Sequence, residues 1–218
     1  MTILFININK ITENSKLWNK YFELFSNDEK IKIKKYIKVN DRKRYFASII
    51  LQNYVIKKHF NTNFGSIDIK KNKYEKPYVD NFEYNVSHDE DIVIIITDPK
   101  KSVGIDIMSI NRNIDIESLK FIFTENEYKQ INNLKEFLIF WCLKESYIKA
   151  IGQGLNFDLN RMEFNIKNKD NITLHIDGNI VPNLYFTYFI FKLEYIVAIA
   201  QQTYIKTDKP MELDIDFL

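Results

Sequence analysis

At 218 residues, the chain can bury one good-sized core or two small ones, and its 45% hydrophobic and 28% charged content is ordinary for a soluble globular protein. A single cysteine, Cys142, excludes an internal disulfide and any cysteine-based metal cluster. The opening MTILFININK has no basic lead, and nowhere do about twenty apolar residues run together, so a cytoplasmic protein with no membrane partner is expected.

The first element is a strand, from the apolar, β-branched run Ile3 to Ile8. Ser26 with Glu29 three residues on reads as a capping box, opening the basic helical stretch Lys30–Lys38. Phe46, Ile49, Ile50, Val55 and Ile56 recur at helical spacing within Arg42–Phe60. A turn-rich segment then leads through Pro77 to a continuous β-branched strand, Ile92–Thr97, typical of a strand covered on both faces. After the turn Asp98–Lys101 comes a second strand, Val103–Ile107, followed by helical stretches at 116–123 and 124–131. A long helix spans Leu134–Ile151 and stops at Gly152. Strands return at 162–166, 172–176, 185–191 and 195–200. Helices and strands cluster rather than alternate, which predicts an α+β protein of two similar halves, 1–102 and 103–218.

Charge divides along the same line. From Glu29 to Lys76 there are 14 Lys and Arg against 4 Asp and Glu, and from Pro77 to Ser146 there are 7 against 13. Such a division suits a phosphate-rich ligand with a hard cation, and equally suits two solvated faces of opposite sign.

Three positions carry chemistry. On the second strand, Val103, Ile105 and Ile107 face one way while Gly104, Asp106 and Met108 face the other. A carboxylate in such an apolar strand is costly to desolvate unless a positive group meets it, or unless it caps the strand end. On the long helix, Glu145 falls inside the apolar stripe of Leu134, Phe137, Leu138, Trp141 and Ile148, with Lys149 one turn beyond. This pair is either a site or a plain intrahelical ion pair. Ser87-His88-Asp89 precedes the Ile92 strand; His88 is either a phosphate contact or a core histidine. Adjacent residues on an extended segment cannot form a hydrolase triad, and phosphate-binding glycine loops and zinc-ligand spacings are absent.

In order, these pieces resemble the Sfp-type 4′-phosphopantetheinyl transferases. The resemblance is carried by Val103-Gly104-Ile105-Asp106-Ile107, Phe123-Thr124-Glu125-Asn126-Glu127, and Trp141 to Lys149 ending Gly152-Gln153-Gly154-Leu155. Upstream, Glu75-Lys76-Pro77 and Asn85-Val86-Ser87-His88 are similar to the family's Gly-Lys-Pro and Asn-[IL]-Ser-His. The resemblance implies a pseudo-dimeric α+β fold with coenzyme A in the cleft between the halves. Asp106 and Glu145 would hold Mg2+, Lys149 would meet the phosphates, and Ser87 and His88 the 3′-phosphate region. Arg44, Lys76 and Lys32 would contact the nucleotide.

At the position where many relatives carry a third acidic ligand this chain has Met108, a poor ligand for a hard cation. Asp89 is therefore expected to supply the missing group. Glu75 replaces a family glycine, either weakening coenzyme A binding or pointing to solvent.

The implied reaction moves 4′-phosphopantetheine from coenzyme A to a serine of an apo acyl or peptidyl carrier protein, with Glu145 as base. A monomer is expected, since both halves of the cleft are on one chain, and Phe121–Tyr128 is read either as a docking edge for the carrier, with Phe123 exposed or half-buried, or as placing Phe123 in the core, where such an aromatic more often lies. Two other classes stay open: a silent homologue that binds coenzyme A or carrier without transfer, and a basic nucleic-acid-binding module. The modest net charge and lack of base-stacking motifs speak against the latter, so no nucleic-acid partner is expected.

Overall fold

A computed structural model of the chain describes residues 1–154, 157–204 and 209–215. The first half begins with β1 (Thr2–Asn7), followed by helices α1 (Lys16–Leu24), α2 (Asn27–Lys35) and α3 (Val39–Phe60). The small strands β2 (Lys70–Lys71) and β3 (Pro77–Tyr78) lead into the hairpin of β4 (Glu83–Asp89) and β5 (Ile92–Asp98). The second half opens with β6 (Val103–Ser109), the single-turn α4 (Glu125–Tyr128) and the long α5 (Leu134–Ile151). It continues through β7 (Met162–Asn168), β8 (Asn171–Ile176), β9 (Asn179–Ile180), β10 (Tyr185–Phe191) and β11 (Tyr195–Gln201) to a short β12 (Met211–Glu212).

The two halves repeat one topology. In the first, β1 pairs antiparallel with β5, which pairs antiparallel with β4. In the second, β6 pairs antiparallel with β11, which pairs antiparallel with β10. In both, the long helix lies in sequence between the first strand and the closing hairpin. The expected pseudo-dimeric α+β fold is the observed one.

Strand alternation sorts the side chains into three cores. Leu4, Ile6, Val93 and Ile95 face the helices of the first half. Ile3, Phe5, Ile92, Ile94 and Ile96 face the opposite way and meet Val103, Ile105, Ile107, Val197 and Ile199 of the second sheet. Ile196, Ala198 and Ala200 face α5. The result is four layers: helices, sheet, sheet, helix. The halves are therefore held together by apolar burial between the sheets. β12 runs parallel to β1, returning the chain to the first half.

Local signals explain several boundaries. Ser26 and Glu29 form the predicted capping box of α2. At the end of α3, Asn61 takes a left-handed conformation (φ 50°), which asparagine tolerates better than most residues. Helix α1 went unpredicted, although Ser15 caps it and Trp18 and Tyr21 are buried one turn apart. The expected 116–131 helices are a 3-10 helix, Glu117–Ile122, and the one-turn α4. Among the described residues no helix is long and apolar enough to cross a membrane.

Candidate active site

Asp106, Ser87 and Lys149 come together where β4 of the first half meets β6 and α5 of the second. Lys149 Nζ donates to Asp106 Oδ1 at 2.5 Å and to Ser87 Oγ at 2.8 Å, and Ser87 Oγ donates to the same Asp106 oxygen at 2.9 Å. Asp106 Oδ2 is buried with no hydrogen-bond partner, and so is Glu145 Oε1. Burial, then the neighbouring Asp106 charge, pushes the Glu145 carboxyl above the ordinary glutamate range, with Lys149 opposing. An orphaned buried carboxylate oxygen is costly, and two acids sharing one region are costlier still. A hard divalent cation accepted by both oxygens would relieve both costs, so the residues fit Mg2+.

Glycine makes this approach possible. A Cβ on Gly104 would sit 2.0 Å from the Ser146 carbonyl oxygen and 2.5 Å from the Ala150 backbone nitrogen. Only hydrogen at this position lets α5 lie directly on β6, delivering Glu145 and Lys149 to Asp106. The end of α5 is pinned from outside it: Ser102 Oγ and Lys76 Nζ both donate to the Ala150 carbonyl, the latter at 3.0 Å. Asn72 Nδ2 donates to the Gly152 carbonyl at 2.9 Å.

The β4–β6 seam uses side chains where a sheet would use backbone. Asn85 Oδ1 accepts from the Ile105 backbone N–H at 2.9 Å, and Asp89 Oδ2 from that of Ser109 at 2.6 Å. Ser87 lies between them on the same face of β4, which aims it at Asp106.

The basic residues are distributed more widely. His88 is on the opposite face of β4 from Ser87 and is exposed overall. Desolvation of its ring, then Lys149 and Arg44, hold its pKa below the ordinary histidine value. Arg44 donates to the Glu90 carbonyl at 2.6 Å and pairs with Asp41. Lys76 is committed to the α5 terminus, and burial lowers its pKa. Lys32 stands 4.6 Å from the Tyr45 ring centre, with Lys71 near enough to depress its pKa further. Glu75 is exposed at φ 65° and paired with Lys71 at 2.5 Å, so of its two expected orientations the structure shows the outward one. Its positive φ explains why glycine suits this position.

Asp89, expected as a replacement ligand, is instead held by Arg112, whose Nε donates to Oδ2 at 3.0 Å while Nη2 pairs with Oδ1. Met108 packs against the α5 core. Among the described residues no group of three or more His, Cys, Asp or Glu side chains could hold a metal ion, leaving two acids for the task. Of the two readings of Phe123 the structure shows the core one: it is buried against Phe137, and Phe121 is the exposed aromatic at 70%. The 3-10 helix Glu117–Ile122 leaves Phe121 outward, and the extended backbone at its cap, Phe123, returns that ring to the core. Leu155, the last residue of the expected motif, lies outside the described residues.

Sequence reasoning missed one arrangement. Glu127 and Lys144 form a fully buried ion pair at 2.7 Å. Glu127 also accepts from the Phe164 and Thr124 backbone N–H groups, and Lys144 donates to the carbonyls of Leu159 and Met162. Burial nonetheless raises the Glu127 pKa and lowers that of Lys144. Both residues stand in the quoted motifs, but spacing could not reveal that they meet. Two cavities, of about 440 and 500 Å³, lie along β7–β8 and β10, away from Asp106 and Glu145.

Two family models match the chain. A family model described as 4′-phosphopantetheinyl transferase superfamily matches residues 102–200, and one described as 4′-phosphopantetheinyl transferase, N-terminal, matches 12–100. The chain belongs to the 4′-phosphopantetheinyl transferase family. It is 28% identical over 199 residues to a phosphopantetheinyl transferase of Thraustochytrium, covering 79% of this chain and 68% of that one. It is 37% identical over 135 residues to the 4′-phosphopantetheinyl transferase gsp of Aneurinibacillus migulanus, covering 58% and 55% of the two chains. The human L-aminoadipate-semialdehyde dehydrogenase-phosphopantetheinyl transferase is 31% identical over 162 residues, 64% of this chain and 52% of that protein. This chain thus spans about half the length of the last two relatives. A Bacillus anthracis holo-(acyl-carrier-protein) synthase solved with coenzyme A (3′,5′-ADP) is 25% identical, with a TM-score of 0.37 over 46% of this chain and 93% of that one.

Proposed function

We propose that this chain transfers 4′-phosphopantetheine from coenzyme A to a serine of an apo acyl or peptidyl carrier protein, releasing adenosine 3′,5′-bisphosphate. The observation that carries the reading is the pair of buried, partnerless carboxylate oxygens on Asp106 and Glu145, set beside Lys149. Asp106 and Glu145 would hold Mg2+, which would supply Lewis-acid chemistry at the diphosphate of coenzyme A.

Lys149, already positioned by Ser87 and Asp106, offsets negative charge on the phosphates. Glu145 takes the proton of the carrier serine hydroxyl, directly or through water. The serine oxygen then bonds to the β-phosphorus, and the bond from that phosphorus to the bridging oxygen breaks. The bridging oxygen leaves with its electron pair as part of adenosine 3′,5′-bisphosphate. His88 and Arg44, and at the periphery Lys76 and Lys32, supply positive charge for the nucleotide phosphates. Phe121 gives the carrier an exposed aromatic edge. The protein works in the cytoplasm as a monomer.

Mass spectrometry of an apo-carrier incubated with coenzyme A and Mg2+ tests this. The carrier is expected to gain the phosphopantetheine mass, and chelation of Mg2+ to prevent the gain. A carrier left unmodified while coenzyme A binds would favour the silent-homologue reading.

A further inference from the structure

We propose that Arg112 is a positioning residue that keeps Asp89 out of the cation's ligand set, so that the site operates with two protein carboxylates. This rests on the transferase reading above. Asp89 is only 4% exposed, and each of its oxygens already meets a donor. Oδ2 accepts from the Ser109 N–H at 2.6 Å and from Arg112 Nε at 3.0 Å, and Oδ1 pairs with Arg112 Nη2. A guanidinium fork on a carboxylate is among the strongest charge-assisted contacts in proteins. Asp106 Oδ2 and Glu145 Oε1 present the opposite picture, buried and without a partner. The cation therefore finds two acids available and a third already neutralised.

The clamp is built into the seam. Ser109 ends β6, Asn111 N–H donates to Ser109 Oγ at 3.1 Å, and Arg112 follows directly. Ser109 and Arg112 of the second half thus grip one acid of the first. Two carboxylates bind a bare divalent cation more weakly than three, because affinity rises with ligand charge. The cation consequently depends on the diphosphate for the rest of its negative ligands, and retains more positive charge to act on it. Arg112 makes cation binding conditional on coenzyme A.

Mn2+ titrations followed by electron paramagnetic resonance test the proposal, with and without coenzyme A. The proteins compared are the native chain, Arg112→Ala, Asp89→Asn and the double variant. Arg112→Ala, which frees the third carboxylate, is expected to bind bare Mn2+ about tenfold more tightly and to gain less from coenzyme A. Asp89→Asn keeps the shape and is expected to stay within about twofold of native affinity, and the double variant to return to it. A loss of about tenfold or more in Asp89→Asn would overturn the proposal, as would no gain in Arg112→Ala. If Arg112→Ala does not fold, the Asp89→Asn titration decides alone. A native protein that binds no Mn2+ even with coenzyme A would overturn the transferase reading and this proposal together. Native binding combined with loss in Asp89→Asn would overturn this proposal only.

Discussion

Helix α5 carries two acid–base arrangements on neighbouring residues, and they end differently. Lys144 points to one side, where it meets Glu127 and two backbone carbonyls, and every listener in that cluster has a partner. Glu145 points to another, where its Oε1 and the Asp106 Oδ2 have none. Both clusters draw their α5 members from the stretch Trp141–Lys149; the first is fully buried, and in the second Glu145 and Lys149 are half-buried. The satisfied cluster ties α4, α5 and β7 into one body. The other cluster leaves two buried carboxylate oxygens without a hydrogen-bond partner. Residue type alone does not separate these two clusters; their unmet hydrogen bonds do.

The comparison can be broken from either side. Glu145→Gln removes the negative charge but little volume, and transfer to the carrier is expected to fall about 10²–10⁴-fold with the circular dichroism spectrum unchanged. Lys144→Ala leaves Glu127 buried and unpaired, which should cost about 3–5 kcal/mol in denaturant unfolding. Replacing both with apolar residues, as in K144M with E127L, should recover most of that loss, a rescue the Asp106–Glu145 cluster does not allow for activity. Gly104→Ala drives a methyl into the α5 backbone, with an expected cost of about 1–3 kcal/mol and a parallel loss of transfer as Glu145 leaves Asp106. Ser26→Ala, far from either cluster, should cost about 1 kcal/mol by removing the α2 cap, and should leave transfer untouched.

Much of this was legible in the sequence. Alternation on β6 placed Asp106 on one face with Gly104, and helical spacing placed Glu145 and Lys149 on one face. Both follow from geometry within a single element. What spacing could not give is which residue of another element stands opposite. The Glu127–Lys144 pair and the Arg112–Asp89 clamp are long-range contacts of this kind: the motifs named Glu127 and Lys144 without joining them, and Arg112 stands in no motif. Lys76, expected at the nucleotide, holds the α5 terminus. Phe123 caps the 3-10 helix in extended backbone and packs on Phe137, a long-range contact that the sequence does not show.

The central claim is that the unmet carboxylates of Asp106 and Glu145 are the catalytic pair. Its most direct test is a timed carrier-modification assay by mass spectrometry, run in parallel on the native chain and Glu145→Gln with coenzyme A and Mg2+. The account predicts a modified carrier with the native chain and an unmodified one with the variant, at equal thermal stability. A variant retaining more than about a tenth of the native rate would contradict it, since losing a general base costs far more.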